Sequence, residues 1–139
     1  MKRWILALAA PLMIATLPAP VTVTPVASGL DHPWGLAFLP DDRVLVTERN
    51  GQLRVIAGGK LSPKAVAGVP AVYVRNQGGL FDVLPHPNFA ANRLIYLSYA
   101  GGPPEANATH IARGRLDGDR LSDVKVIFRT QTPKATPAH

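Results

Sequence analysis

The chain has 139 residues, no cysteine and a formal charge of +6; 47% of its residues are hydrophobic and only 17% are charged. These figures exclude a disulfide scaffold, a thiolate metal centre and a charge-rich disordered chain, while 14 Pro and 12 Gly describe a globular fold rich in turns. The basic side chains are scattered through Arg43, Arg49, Arg54, Arg75, Arg93, Arg113, Arg115 and Arg120 rather than gathered in a run, which argues against a nucleic-acid partner.

The first element is "MKRWILALAAPLMIATLPAP". Lys2 and Arg3 precede an uncharged stretch from Trp4 to Leu17, too short to cross a bilayer and of the length expected of a signal-peptide core. Residues 1–19 are therefore expected to be a signal peptide, with the mature chain periplasmic or secreted and no membrane span left after cleavage. Losing Lys2 and Arg3 lowers the formal charge by two, to +4.

The body that follows is a succession of short apolar runs separated by turn signals, and it reads as all-β. Expected strands are 35–38, 44–47 and 53–56, with Pro40-Asp41-Asp42 in the first gap and Asn50-Gly51 in the second. Asn-Gly predicts a two-residue type I′ hairpin, in which both central residues take positive φ. Further strands are expected at 80–84, 93–99, 110–116 and 124–128, with Asp117-Gly118 as another tight turn. No stretch of eleven or more residues after the leader holds a 3.6-residue period, so no sizeable helix is expected. The sequon Asn107-Ala108-Thr109 is read as a chance match.

Laying the two halves over each other reveals a repeat. Gly35-Leu36 leads to Leu39-Pro40, a turn and "RVLVT"; Gly79-Leu80 leads to Leu84-Pro85, a longer turn and "RLIYLS". The offset of 44 residues between the glycines is that of propeller blades, each of four short antiparallel strands. Two such blades are expected, at about 30–66 and 77–128. A pair leaves sheet faces uncovered, since propellers close with about four to eight blades.

The segments "GLDHPWGLAFLPDDRVLVTERNGQLRVI", "NQGGLFDVLPHPNFAANRLIYLSYA" and "ARGRLDGDRLSDVKVIF" resemble, in order and spacing, the N-terminal part of the glucose/sorbosone dehydrogenase family. Those enzymes are soluble periplasmic six-bladed propellers that oxidise aldose sugars with pyrroloquinoline quinone and calcium. The likeness runs from about Val26 to Lys134 and covers about the first third of such an enzyme. It implies a partial propeller domain over 26–139, an aldose substrate, an electron acceptor, and pyrroloquinoline quinone and calcium as cofactors whose main binding residues lie beyond this chain.

The resemblance also marks site residues. The glutamine of the family's Gln-Gly-Gly motif opens the innermost strand of a blade and points into the central cleft, which assigns Gln77 to substrate or cofactor binding. An amide donates and accepts without a charge that would need neutralising. Gly78 and Gly79 are assigned with it, since glycine lets backbone approach a flat ring where a Cβ would intrude. The family's general-base histidine follows a Pro-Lys pair, which makes His139, after Pro133-Lys134, the candidate catalytic base.

Other polar residues are assigned structural roles. His32 and His86 adjoin prolines and fit turns at blade edges, and Trp34 is expected to pack between blades. Asp42 stands where the family has glycine, so its turn is expected to be slightly strained. Asp82, inside an apolar strand, calls for a backbone hydrogen bond or a cleft. No residue is assigned to a metal. As it stands the chain is expected to lack turnover; the alternative to an enzyme part is a non-catalytic exported binding module or a gene remnant, because propeller scaffolds serve both purposes.

Overall fold

In the extended run Val44–Glu48 successive side chains point to opposite sides, Leu45 and Thr47 to one and Val46 and Glu48 to the other, and this strand anchors the first of two antiparallel sheets. In the computed structural model, which describes residues 21–131, the first sheet has the order β1 (Pro33–Phe38), β2 (Val44–Glu48), β3 (Leu53–Ala57), β4 (Lys60–Leu61). The second has the order β5 (Leu80–Pro85), β6 (Leu94–Gly101), β7 (Ala108–Asp117), β8 (Arg120–Arg129). Helix among the described residues is confined to one turn, α1 (Phe89–Asn92), and a 3-10 turn at Pro104–Ala106. The all-β expectation holds. The leader at 1–19 and the terminal His139 lie outside the described residues.

The sheets meet through their first strands. β5 packs against both β1 and β2, and Leu45, Leu53, Leu80, Ile95 and Leu116 are fully buried in the shared core, each contributing about 1.5–3 kcal/mol by leaving water. Toward the outer strands the two sheets diverge, and the segment between β4 and β5 fills the wedge. Val66 binds Leu53 through its backbone, Ala67 pairs with Asp119 and Leu121 at the β7–β8 hairpin, and Val66, Val69 and Val72 pack into the core.

The repeat is real, but its register differs from that suggested by the glycines. β1 breaks step against β2 between Pro33 and Leu36, and β5 breaks step against β6 between Leu80 and Val83. Superposing these bulges matches Pro33 to Leu80 and Phe38 to Pro85, an offset three residues longer than the glycine spacing. Gly35 therefore corresponds to Asp82, not to Gly79. The bulge also accounts for Asp82: it carries the carboxylate out of the core, where Oδ1 accepts a hydrogen bond from the Val83 N–H at 2.9 Å while its own N–H donates to Ser98.

The Asn50-Gly51 hairpin is not type I′. Gly51 takes φ 99°, whereas Asn50 is absent from the left-handed region. Glu48 N–H donates to Gln52 O and Gly51 N–H to Glu48 O, which is a three-residue loop built on a type I turn with a left-handed third residue. The β1–β2 loop has the same construction, with Leu39 N–H on Arg43 O, Asp42 N–H on Leu39 O and Asp42 at φ 63°. The strain expected at Asp42 is thus found in its backbone angle.

Candidate functional site

The segment before β5 turns sharply where Gly78 N–H donates to Arg75 O at 2.7 Å, with Asn76 in the left-handed region at φ 50°. Asparagine is among the few side-chain-bearing residues that visit this region readily. The turn places Gln77 at its tip, exposed, with no hydrogen bond to its side chain among the described residues. Two backbone bonds to one residue hold its base down: Tyr73 N–H donates to Ala100 O and Ala100 N–H to Gly79 O.

Gly78 and Gly79 are buried, unlike Gln77. A Cβ at Gly79 would overlap the Arg49 carbonyl and stand 2.7 Å from Arg49 Cγ, so the missing side chain admits the first sheet. Arg49 is the clasp. Its carbonyl accepts from Leu80 N–H at 3.2 Å, its Nε reaches Gly78 O at 3.5 Å, and its own N–H donates to His32 O at 3.1 Å. Close backbone approach between sheets is therefore seen at Gly79, whereas a Cβ at Gly78 would meet the Arg75 and Tyr73 carbonyls of its own segment, each 3.0 Å away. The Arg49 guanidinium has no carboxylate partner among the described residues.

The loops beside Gln77 make a polar rim. His32 sits at φ 47° with Nδ1 2.5 Å from Asp31 Oδ1, and Asn50 Nδ2 donates to Asp31 Oδ2 at 3.1 Å. An open cleft of about 190 Å³ lies among His32, Arg49, Asn50 and Val74. Beneath the neighbouring hairpin, His110 packs edge-on to Tyr99 with ring centroids 5.5 Å apart, and its ring takes the space a side chain at Gly101 would need. Burial, reinforced by Arg129, pulls the His110 pKa below its usual 6.5, and burial raises that of the Tyr99 hydroxyl.

Sequence reasoning singled out neither Arg49 nor His110. The signal for Arg49 was faint: a single arginine ahead of a turn, whose partners are thirty residues away. His110 becomes visible once β6 and β7 are paired, because the register sets it opposite Tyr99.

The remaining polar candidates fall into structural positions. His86 Nδ1 accepts from Asn88 N–H and lies 2.9 Å from Asn92 Nδ2, while the ring stacks on Tyr96, which fixes the turn into α1. Trp34 reaches across to Phe81 of the other sheet, ring centroids 6.0 Å apart, yet stays 57% exposed. Asn107 of the sequon is buried and donates to Pro104 O at 3.0 Å. No three His, Asp or Glu side chains come together as metal ligands among the described residues, and no helix there is long and apolar enough to cross a membrane.

A model of the family described as Glucose / Sorbosone dehydrogenase matches residues 30–139. The chain is 41% identical over 126 residues to aldose sugar dehydrogenase YliI of Escherichia coli K12, covering 88% of this chain and 34% of that protein. A solved glucose dehydrogenase superposes with a TM-score of 0.76 at 49% identity, over 83% of this chain and 35% of that one. The PQQ-bound aldose sugar dehydrogenase of Streptomyces coelicolor gives a TM-score of 0.68 at 26% identity, over 77% of this chain and 33% of that one. The chain thus spans about a third of the length of the curated relatives it matches. With two four-stranded antiparallel sheets and a family match over most of its length, the chain belongs to the glucose/sorbosone dehydrogenase family.

Proposed function

We propose that this chain supplies one wall of a quinone-dependent aldose dehydrogenase site, with Gln77 as its contribution to ligand binding. The observation that carries the reading is the exposed, unbonded amide of Gln77, held on a turn that Gly79 and Arg49 fix at the inner end of β5. The donor set suits the group. Pyrroloquinoline quinone is flat and carries carboxylates; Gln77 offers a neutral donor and acceptor, and the unpaired guanidiniums of Arg49 and Arg75 offer positive charge beside it.

When bound, the quinone would accept hydride from the sugar C1. Gln77 would orient a sugar hydroxyl or a quinone oxygen, and the backbone bonds at Tyr73, Gly78, Leu80 and Ala100 keep the amide from swinging away. The base that takes the C1 hydroxyl proton is proposed as His139, which lies outside the described residues. Calcium finds no cage among the described side chains, so its ligands are proposed to come from other parts of a complete site. The chain is proposed to be exported and, without those parts, to turn over no sugar.

Titrating the purified chain with pyrroloquinoline quinone and following the shift in its absorbance tests the reading. Binding that weakens at least about tenfold in Gln77→Ala, equivalent to about 1.4 kcal/mol, supports it. Equal binding by both proteins, or none by either, removes Gln77 from the site.

A further inference from the structure

His32 and His86 each precede a proline, yet their rings are held in opposite senses. The Asn88 N–H and Asn92 Nδ2 both meet Nδ1 of His86, at 3.0 and 2.9 Å, so that nitrogen accepts and the ring serves the turn into α1. Nδ1 of His32 instead meets Asp31 Oδ1, 2.5 Å away. An ionised carboxylate only accepts, so Nδ1 of His32 carries the proton and Nε2 of the neutral ring keeps a lone pair. That Nε2 has no partner among the described residues, and the side chain is 73% exposed.

Asp31 is fixed from two sides. Its Oδ2 accepts from Asn50 Nδ2 at 3.1 Å, and its N–H donates at 2.8 Å to Oε1 of Glu48, a buried carboxylate that Arg54 also holds. His32 O accepts from Arg49 N–H at 3.1 Å, and the His32 backbone stays at φ 47°, a conformation that a bulky side chain adopts only when its surroundings impose it. These contacts orient an imidazole that buries little of its own surface, so packing is not what they serve.

The cleft beside the ring shows what the free nitrogen can meet. His32, Arg49, Asn50 and Val74 line about 190 Å³ of open space, which adjoins the Gln77 turn through Val74 and through Arg49 Nε, 3.5 Å from Gly78 O. The bulge register that matches Pro33 to Leu80 makes His32 the counterpart of Gly79, so the Asp31–His32 dyad opens the inner strand of the first sheet as the Gln77 turn opens that of the second. We infer that His32, with its tautomer set by Asp31, is a second ligand-binding residue of the aldose site: Nε2 accepts a hydrogen bond from a sugar hydroxyl while Gln77 engages another part of the same ligand. The role rests on the reading of Gln77 given above. A neutral acceptor beside a neutral amide suits a polyhydroxyl ligand, whose O–H groups must find acceptors when they leave water.

Heteronuclear NMR of the imidazole nitrogens, in the purified 139-residue chain at about pH 8, above the ordinary imidazole range, reads the tautomer without any variant. Nε2 of His32 should give the signal of a lone-pair nitrogen and Nδ1 that of a protonated one, with the order reversed at His86. Adding glucose should shift the His32 ring signals saturably. Asp31→Asn, whose amide can donate to Nδ1 and send the proton to Nε2, should weaken that binding about tenfold. A protonated Nε2 in the wild-type chain overturns the inference whatever Gln77 does, and equal glucose binding by Asp31→Asn overturns the part given to the dyad. Glucose that moves the Gln77 amide signals and leaves the His32 ring untouched also overturns it, while keeping the Gln77 reading. Shifts at His32 with none at Gln77 keep the dyad as a hydroxyl site and remove Gln77 from it; shifts at neither remove both.

Discussion

The two sheets share a design at their inner edge and diverge toward the outside. β1 and β5 are both six residues long, and each is interrupted by a bulge at the matching place against its neighbour. Further out, β3 and β4 have five and two residues, while β7 and β8 have ten each. The inner strands must fit one another, so their length and bulge are constrained; the outer strands face the wedge or solvent and are free to grow. β8 pays for that freedom with a largely exposed strand at a sheet edge.

The sharpest way to break this arrangement is at Gly79, where a side chain would collide with the first sheet's end at Arg49. Alanine there would press its Cβ into the Arg49 carbonyl and Cγ, and backbone cannot step aside cheaply. We expect Gly79→Ala to cost about 2–3 kcal/mol, read as a drop in the urea midpoint, and to displace the Gln77 turn. The equivalent crowding in the first sheet is softer. At Gly35 the nearest obstacle to a Cβ is the Asp82 carboxylate, 2.6 Å away, which can rotate, so Gly35→Ala should cost less. Equal costs would mean that the two sheets are not clasped where the geometry puts the clasp.

Next in size is the polar link between the sheets. Thr47 is fully buried; its hydroxyl accepts from Gly35 N–H at 2.9 Å and donates to Phe81 O at 2.5 Å on the other sheet. Thr47→Val keeps the shape and strands both backbone groups, for an expected loss of about 1–3 kcal/mol. Thr47→Ser should recover most of it. If valine is tolerated without loss, the hydroxyl is not what ties β2 to β5.

These contacts explain what could and could not be read in the sequence. Strands such as 44–48 and 53–57 announce themselves, because short runs rich in Val, Ile and Leu bounded by turn residues are local signals. β4 does not, since Lys60-Leu61 is too short to carry a pattern. The glycine repeat pointed to two four-stranded antiparallel units but in the wrong register: Gly35 and Gly79 look alike as letters, yet one crowds Asp82 and the other Arg49. Gln77 was legible as a motif, but the reason its turn holds still lies in Arg49, nearly thirty residues earlier, and no local pattern records a contact of that range.

A smaller effect compares two loops of one design. In β2–β3 the left-handed third position is Gly51, and in β1–β2 it is Asp42. Asp42→Gly should stabilise by up to about 1 kcal/mol, the relief of a left-handed side-chain-bearing residue less the added freedom of the unfolded chain. Gly51→Asp should do the reverse. The urea midpoints of the two variants should therefore move in opposite directions; a shift of the same sign in both would show that the loops differ in more than this residue.

The least effect, and the most diagnostic, is the pH at which each sheet weakens. In the second sheet burial and Arg129 hold the His110 pKa below its usual 6.5. The unfolded chain therefore binds a proton that the folded chain refuses, so the stability tied to this imidazole is complete above about pH 6.5 and declines as pH falls toward the folded pKa. In the first sheet, the Arg43 hydrogen bonds hold the Asp41 carboxyl below 3.8. That contribution is present above the usual carboxylate range and is lost only as pH falls through the lowered value. His110→Gln should flatten the stability profile just below pH 6.5 and leave the acid limb unchanged, whereas Asp41→Asn should do the opposite. Urea midpoints measured across the acid range for the two variants check this directly, and a His110→Gln profile that still declines between neutrality and pH 6 would place the titrating group elsewhere.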